Sequence, residues 1–347
     1  MSDGDHRPAD FRLRPAGRLL VQCLSFALAI GLSVSLAALA IVAVFGAPAD
    51  RPALAAAPQG EEILRTFAGI PPAAWLVERI GAPYVRVDVL VQPGQDPHVF
   101  EPTPRQVIEL SEARLFFRVG MPFEDRLVER IAAGVGNFTV VDTAAGIVRR
   151  ASGHACEEAR GADDHDPEEE GGADPHVWLS PPLLKTMAAN VAAALCRADP
   201  RHASAYVANL RSLNTQLDTL DRRIAQSLAP YRGQAFYVFH PAFGYFADTY
   251  GLRQVSVEVE GKLPTPRQVF ELIAAARADG VKIIFLQPQF NQQIAASIAE
   301  AIGGTVMRMD DLAFDVAANL DDVARKIAAA GRGEEPTSKL FDGVARP

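Results

Sequence analysis

At 347 residues the chain is longer than one ordinary hydrophobic core supports, and 49% hydrophobic against 22% charged residues is a globular rather than a disordered composition. The net charge of −8, with no basic cluster along the chain, excludes a general nucleic-acid binder, which needs a basic face to neutralise phosphates.

The first legible element is N-terminal. Arg12, Arg14 and Arg18 precede an apolar run over 19–47, interrupted only by Gln22 and small residues such as Ser25, Ser33 and Ser35. Positive charge followed by such a run marks a signal sequence or a membrane anchor, and this run is long for a signal core. Ala53-Leu54-Ala55-Ala56-Ala57 offers small-residue cleavage sites, so residues 1–57 are expected to direct export with cleavage near Ala55 or Ala57. An uncleaved N-terminal anchor is the competing reading; both place the remainder in the periplasm or otherwise outside the cytoplasm. Cys23 does not mark a lipoprotein, because Gln22 precedes it where a small residue belongs. Removing 1–57 takes away five Arg and four acidic residues, so the rest stays acidic.

From Glu61 onward short apolar runs alternate with amphipathic stretches, the pattern of α/β layers around a parallel sheet. Strands are expected at 63–68, 85–91, 115–119, 138–141, 235–239, 253–257, 283–287 and 304–309, with helices between them, for example at 71–80 and 104–111. Thr103-Pro104-Arg105-Gln106-Val107-Ile108-Glu109-Leu110 returns almost letter for letter as Thr265-Pro266-Arg267-Gln268-Val269-Phe270-Glu271-Leu272. In both copies Pro sits where a first helical turn tolerates it and an apolar strand follows, which points to two related lobes.

Between the halves, no Gly or Pro interrupts the chain from Pro200 to Pro230. Apolar residues recur at Tyr206, Leu210, Leu213, Leu217, Leu220, Ile224 and Leu228, steps of three or four. One continuous helix is expected there, packed against both lobes. The resulting organisation is a leader at 1–57, a first α/β lobe at 58–198, a connecting helix at 199–230 and a second α/β lobe at 231–347. Within the first lobe, residues 152–174 are dense in Asp and Glu and carry His154 and His165; so acidic a segment buries no core and reads as a surface loop, at most a weak cation collector. Cys156 and Cys196 are permitted a disulfide in an oxidising compartment, though sequence does not place them within bridging distance.

Three of the seven histidines occupy related settings. Asp96-Pro97-His98-Val99-Phe100 and Asp174-Pro175-His176-Val177-Trp178 share a tetrapeptide followed by an aromatic, and Phe239-His240-Pro241 ends an apolar strand. Loops at strand ends are where α/β sheets place ligands. Neutral imidazole suits zinc, which takes four donors in a tetrahedron, so three histidines call for a fourth. The carboxylates of Asp310 and Asp311, which end the strand at 304–309, are the candidates. His6 and His202 fit no such setting and are expected to be plain surface residues. Asp96 and Asp174 read first as turn formers, and Phe100 and Trp178 as core that also keeps water from a metal.

These segments resemble the zinc and manganese solute-binding proteins of bacterial ABC importers, the cluster A-I binding proteins. The resemblance runs from about Ile63 to Ala330. It is carried by Val91-Gln92-Pro93-Gly94-Gln95-Asp96-Pro97-His98-Val99-Phe100-Glu101-Pro102, Asp174-Pro175-His176-Val177-Trp178-Leu179-Ser180-Pro181, Val238-Phe239-His240-Pro241-Ala242-Phe243-Gly244-Tyr245-Phe246, Glu260-Gly261-Lys262 and Met309-Asp310-Asp311-Leu312. It implies two Rossmann-like α/β lobes, each a mostly parallel four-stranded sheet flanked by helices, joined by one long backbone helix. It also implies a cleft metal site with His98 and His176 from the first lobe and His240 and Asp310 from the second. Asp311 stands where the family usually has Pro, which leaves the choice between Asp310 and Asp311 open. Manganese-preferring members tend to carry Glu at the position of His240, so three histidines favour zinc over manganese. The implied protein is a monomer that captures the ion outside the cytoplasm and delivers it to a membrane permease, with no nucleic-acid partner.

Two rival functions stand beside this one: a secreted zinc-dependent hydrolase and a surface adhesin. A hydrolase keeps an open coordination position beside a general base, and the chain carries no His-Glu-x-x-His and no Gly-x-Ser-x-Gly. For the adhesin the only support is exposure outside the membrane.

Overall fold

The computed structural model describes residues 63–132, 139–151, 172–258 and 262–334. The leader at 1–57, His154, Cys156 and His165 of the acidic segment, and Glu260-Gly261 lie outside these residues. Among the described residues no helix is long and apolar enough to cross a membrane.

In chain order, β1 (Leu64–Ala68), α1 (Pro71–Gly81), β2 (Val85–Val89), α2 (Pro104–Ser111), β3 (Leu115–Arg118), α3 (Pro122–Ala132) and β4 (Thr139–Asp142) make a first series. After a single turn at Val177–Leu179 come α4 (Pro181–Ala198) and α5 (Ala203–Leu228). A second series follows: β5 (Ala235–Val238), α6 (Gly244–Tyr250), β6 (Arg253–Ser256), α7 (Pro266–Ala278), β7 (Ile283–Leu286), α8 (Gln292–Ala301), β8 (Thr305–Arg308) and α9 (Val316–Gly331). The strands form two all-parallel four-stranded sheets, ordered β2-β1-β3-β4 and β6-β5-β7-β8. The fold is the α/β arrangement expected, and each strand lies within two residues of its expected place. Where a strand stops early its apolar neighbours stay buried: Leu90 and Val91, beyond β2, still donate to the carbonyls of Ala68 and Gly69.

The repeated octapeptide performs one task twice. Thr103 and Thr265 cap α2 and α7. Each hydroxyl accepts the N–H of Gln106 or Gln268, whose side chain returns to the Thr N–H at 3.0 or 2.8 Å. Two orphan donors are satisfied at each helix start, with Pro at the first position.

The connecting helix is a turn shorter than expected. Pro200–His202 forms a separate 3-10 turn, and α5 proper has 26 residues, about 39 Å at 1.5 Å each. Asp199 braces the break: its Oδ2 accepts the Tyr206 hydroxyl at 2.7 Å and sits 2.5 Å from Nδ1 of His202. The His202 ring stacks on Tyr84, centroids 3.7 Å apart and 11° from parallel. His202 is therefore half-buried and bonded, not the plain surface residue its sequence setting implied. The buried stripe of α5, Tyr206, Leu213, Leu217, Leu220, Ile224 and Leu228, faces α1 and α4 beside the first sheet and α9 beside the second. Asn209 adds a polar tie by donating to the carbonyls of Ile80 and Ala82 at the end of α1. Among the described residues Cys196 is a free thiol that reaches the Ala203 carbonyl, and Cys156, with which a disulfide is permitted, lies outside them.

Candidate metal centre

The two Asp-Pro-His segments fold as the same turn. The Oδ1 of Asp96 accepts the N–H of His98 at 2.9 Å, and that of Asp174 accepts the N–H of His176 at 3.0 Å. Asp174 does more, because the same oxygen lies 2.7 Å from Nδ1 of His176. His240 stands two residues beyond β5, where its N–H donates to Gln287 at 3.1 Å and the Gln287 amide returns to its carbonyl at 2.7 Å. Its Nδ1 lies 2.6 Å from Oε2 of Glu258.

A carboxylate on Nδ1 fixes the ring and its tautomer, leaving the lone pair on Nε2. The Nε2 atoms accordingly face one another: His98 to His176 at 3.3 Å and His240 to His176 at 3.3 Å. Two donors on a tetrahedron whose corners lie 2.0–2.1 Å from a zinc ion are about 3.3 Å apart. Among the described residues these three form the one group of His, Cys, Asp or Glu whose ligand atoms all lie within 4.8 Å of one another.

The electrostatics divide the three rings. Burial, reinforced by the neighbouring His176 and His240, pushes the His98 imidazole down to about 2, so it stays neutral and able to ligate. At His240 burial also opposes protonation, but the hydrogen bond to Glu258 and the charges of Asp311, Glu258 and Asp96 outweigh it and raise the group above its ordinary value. Aromatic rings wall the site. Phe290 stacks on His240 at 5.1 Å and 24°, and the buried Trp178 lies 5.2 Å from His176. Phe100 packs edge-on against Phe123 in the core.

Neither Asp310 nor Asp311 belongs to the group of ligand atoms that the three imidazoles form. The Oδ1 of Asp310 accepts the N–H of Leu312 at 2.8 Å and its carbonyl accepts from Asn319 at 2.7 Å, so it caps the turn after β8. Asp311 is the residue turned inward: 2% exposed, hydrogen-bonded to Gln289 at 2.9 Å, with its charge felt at His240. Its carbonyl accepts the Trp178 indole N–H at 2.6 Å. Glu258, Gln287 and Phe290 were not singled out in the sequence. The one signal for Glu258 is an acidic residue directly after the apolar end of a strand.

A family model described as "ZnuA: Zinc-uptake complex component A periplasmic" matches residues 67–327. The high-affinity zinc uptake system protein ZnuA of Paracoccus denitrificans is 28% identical over 272 residues, which cover 71% of this chain and 82% of that protein. A crystal structure of ZnuA superposes with a TM-score of 0.71 at 36% identity, covering 78% of this chain and 99% of the other. A zinc-bound 138–173 deletion mutant of ZnuA gives 0.70 at 36% identity, covering 78% and 98%. These relatives are solute-binding components of metal transport rather than enzymes. With the match spanning both sheets and all three histidines, the chain belongs to the ZnuA family of periplasmic zinc-uptake components.

Proposed function

We propose that the chain captures one zinc ion on the Nε2 atoms of His98, His176 and His240 and delivers it to an ABC-type permease. The observation that carries this reading is the spacing of His176 Nε2 from the Nε2 atoms of His98 and His240, 3.3 Å in each case and about the edge of a zinc-centred tetrahedron, with all three ligand atoms within 4.8 Å of one another. The fourth donor comes from the Asp310-Asp311 pair, and burial beside His240 favours Asp311. One carboxylate ligand brings the charge of the filled site from +2 to +1, which eases the cost of burying it.

In this reading the lobes are residues 58–198 and 231–347, the connecting helix is 199–230, and the ion sits between the lobes. A site filled by protein donors leaves no position for a hydrolytic water, which suits capture and hand-over rather than turnover. Three nitrogen donors favour zinc over manganese. The test is calorimetric titration of the purified protein with zinc and with manganese, alongside metal analysis of the protein as isolated. One equivalent of zinc bound more tightly than manganese is the expected result; manganese preference, or no saturable binding, overturns the reading.

A further inference from the structure

Tyr245 belongs to α6, after β5, yet its hydroxyl serves the segment that leads into α4. It donates to the carbonyl of Asp174 at 2.9 Å and accepts the N–H of Arg150 at 2.9 Å. Those two residues are joined to each other, since the Asp174 N–H donates to the Arg150 carbonyl at 2.9 Å and Ala151 and Ala173 form an antiparallel bridge beside them. The Arg150 side chain closes over the contact. Its guanidinium lies 5.7 Å from the centre of the Tyr245 ring and 3.3 Å from the Asp248 carboxylate. Gly244 leaves the room, because a Cβ there would overlap the Arg150 guanidinium.

Asp174 is the residue whose carboxylate holds both the N–H and the Nδ1 of His176. One buried hydroxyl on α6 thus fixes the backbone of the group that aims a histidine lying 69 residues earlier in the chain. The turn after His176 is also tied to the second series of elements: the Trp178 indole donates to the Asp311 carbonyl after β8, and Ser180 meets Thr249 of α6 at 3.0 Å. Metal donors must be held to within roughly 0.5 Å and 10–20°, so a change in Asp174 is felt at the Nε2 of His176.

We propose that Tyr245 is a positioning residue for metal capture: through Asp174 it sets the ring of His176, so that the second sheet and its helices place His176 as well as His240. The proposal rests on the reading that the three imidazoles hold zinc. Tyr250 supplies an internal control, being a buried tyrosine on the same helix whose hydroxyl donates to Asp221 at 2.9 Å, away from the histidines.

The experiment compares Tyr245→Phe and Tyr250→Phe in the whole chain. Zinc affinity is read by chelator competition, ligand geometry by the visible absorption of the cobalt(II)-loaded protein, and folding by thermal unfolding without metal. Tyr245→Phe should weaken zinc binding about tenfold, the low end of what loss of an outer partner costs, and alter the cobalt bands. Tyr250→Phe should lower the melting temperature and leave affinity and bands unchanged. An unchanged affinity or spectrum in Tyr245→Phe, or equal losses in Tyr250→Phe, overturns the positioning role. His176→Ala separates the two ideas: if it keeps full zinc affinity the capture site itself is wrong, whereas if it loses zinc while Tyr245→Phe does not, only the role of Tyr245 falls.

Discussion

Glu258 stands beside His240 because of strand register. β5 and β6 run parallel with Val238 opposite Ser256, so two residues past each strand end His240 meets Glu258, and Oε2 lies 2.6 Å from Nδ1. The Glu258 N–H donating to the Phe239 carbonyl at 2.9 Å carries the pairing past the last ladder residues. The sheet itself delivers a carboxylate to the back of an imidazole whose Nε2 faces that of His176.

Glu258→Gln keeps the shape and removes the charge. In the proposed site zinc and a proton compete for Nε2 of His240, where burial opposes the proton and the hydrogen bond to Glu258 and the nearby carboxylate charges outweigh it, raising the group above its ordinary value. In the native protein zinc binding should weaken as pH falls through this raised value. The variant should bind zinc roughly 10–100-fold more weakly at pH 8. The pH at which its binding begins to fall should also be lower. Calorimetric titrations between pH 5.5 and 8 measure both effects, and an unaltered pH profile would show that Glu258 does not act on His240.

The neighbouring aspartates should separate just as clearly. Asp310→Asn can still cap the Leu312 N–H and should change zinc affinity little, while Asp311→Asn removes the buried charge beside His240 and should weaken binding by at least the roughly tenfold typical of a lost outer partner. Competition titration of the two purified variants decides the matter. A larger loss in Asp310→Asn would return the fourth-donor role to that residue.

What the sequence conveyed and what it withheld follow from distance along the chain. The strands, the repeated octapeptide and the three histidines were readable because each is written in a few adjacent residues: an apolar run, Thr-Pro-Arg-Gln, and Asp-Pro-His or Phe-His-Pro. The partnership of His240 with Glu258 spans 18 residues and needs the β5–β6 register, which no local pattern contains. Asp310 and Asp311 differ by one step, and both stand at the turn after β8, where no strand alternation tells from sequence which side chain points which way. Only the contacts with Leu312 and Gln289 reveal which faces inward. His202 looked like a surface residue because its stacking partner, Tyr84, lies 118 residues earlier, between α1 and β2.

That stack gives a contrast among the histidines. His98→Ala, His176→Ala and His240→Ala should each lose more zinc affinity than any outer-partner variant, with little effect on the fold of the metal-free protein. His202→Ala should keep full zinc affinity and one-to-one stoichiometry, yet lose about 1–2 kcal/mol of stability with its bond to Asp199 and its stack on Tyr84. Denaturant unfolding paired with zinc titration of the four variants tests this. A zinc defect in His202→Ala would mean that the junction between α4 and α5 communicates with the site.

Away from the histidines, Glu124 should leave its own mark on stability. It is completely buried, and its Oε2 accepts the N–H groups of Val119, Gly120 and Met121 at 3.0, 2.7 and 2.8 Å. Burial nevertheless dominates those bonds and pushes its carboxyl up to about 7. The raised value means that the unfolded chain gives up this proton first. Its contribution to stability is full below about pH 4.5 and is lost as pH rises through about 7, on the order of 3 kcal/mol at about 1.4 kcal/mol per unit. Glu124→Gln can still offer an oxygen to the three N–H groups and has no proton to lose. Relative to the native protein, its melting temperature should therefore improve as pH is raised from 5 to 8. Thermal unfolding of both proteins without metal at each pH measures that difference, and a constant gap across the range would show that the Glu124 carboxyl does not titrate between the two states.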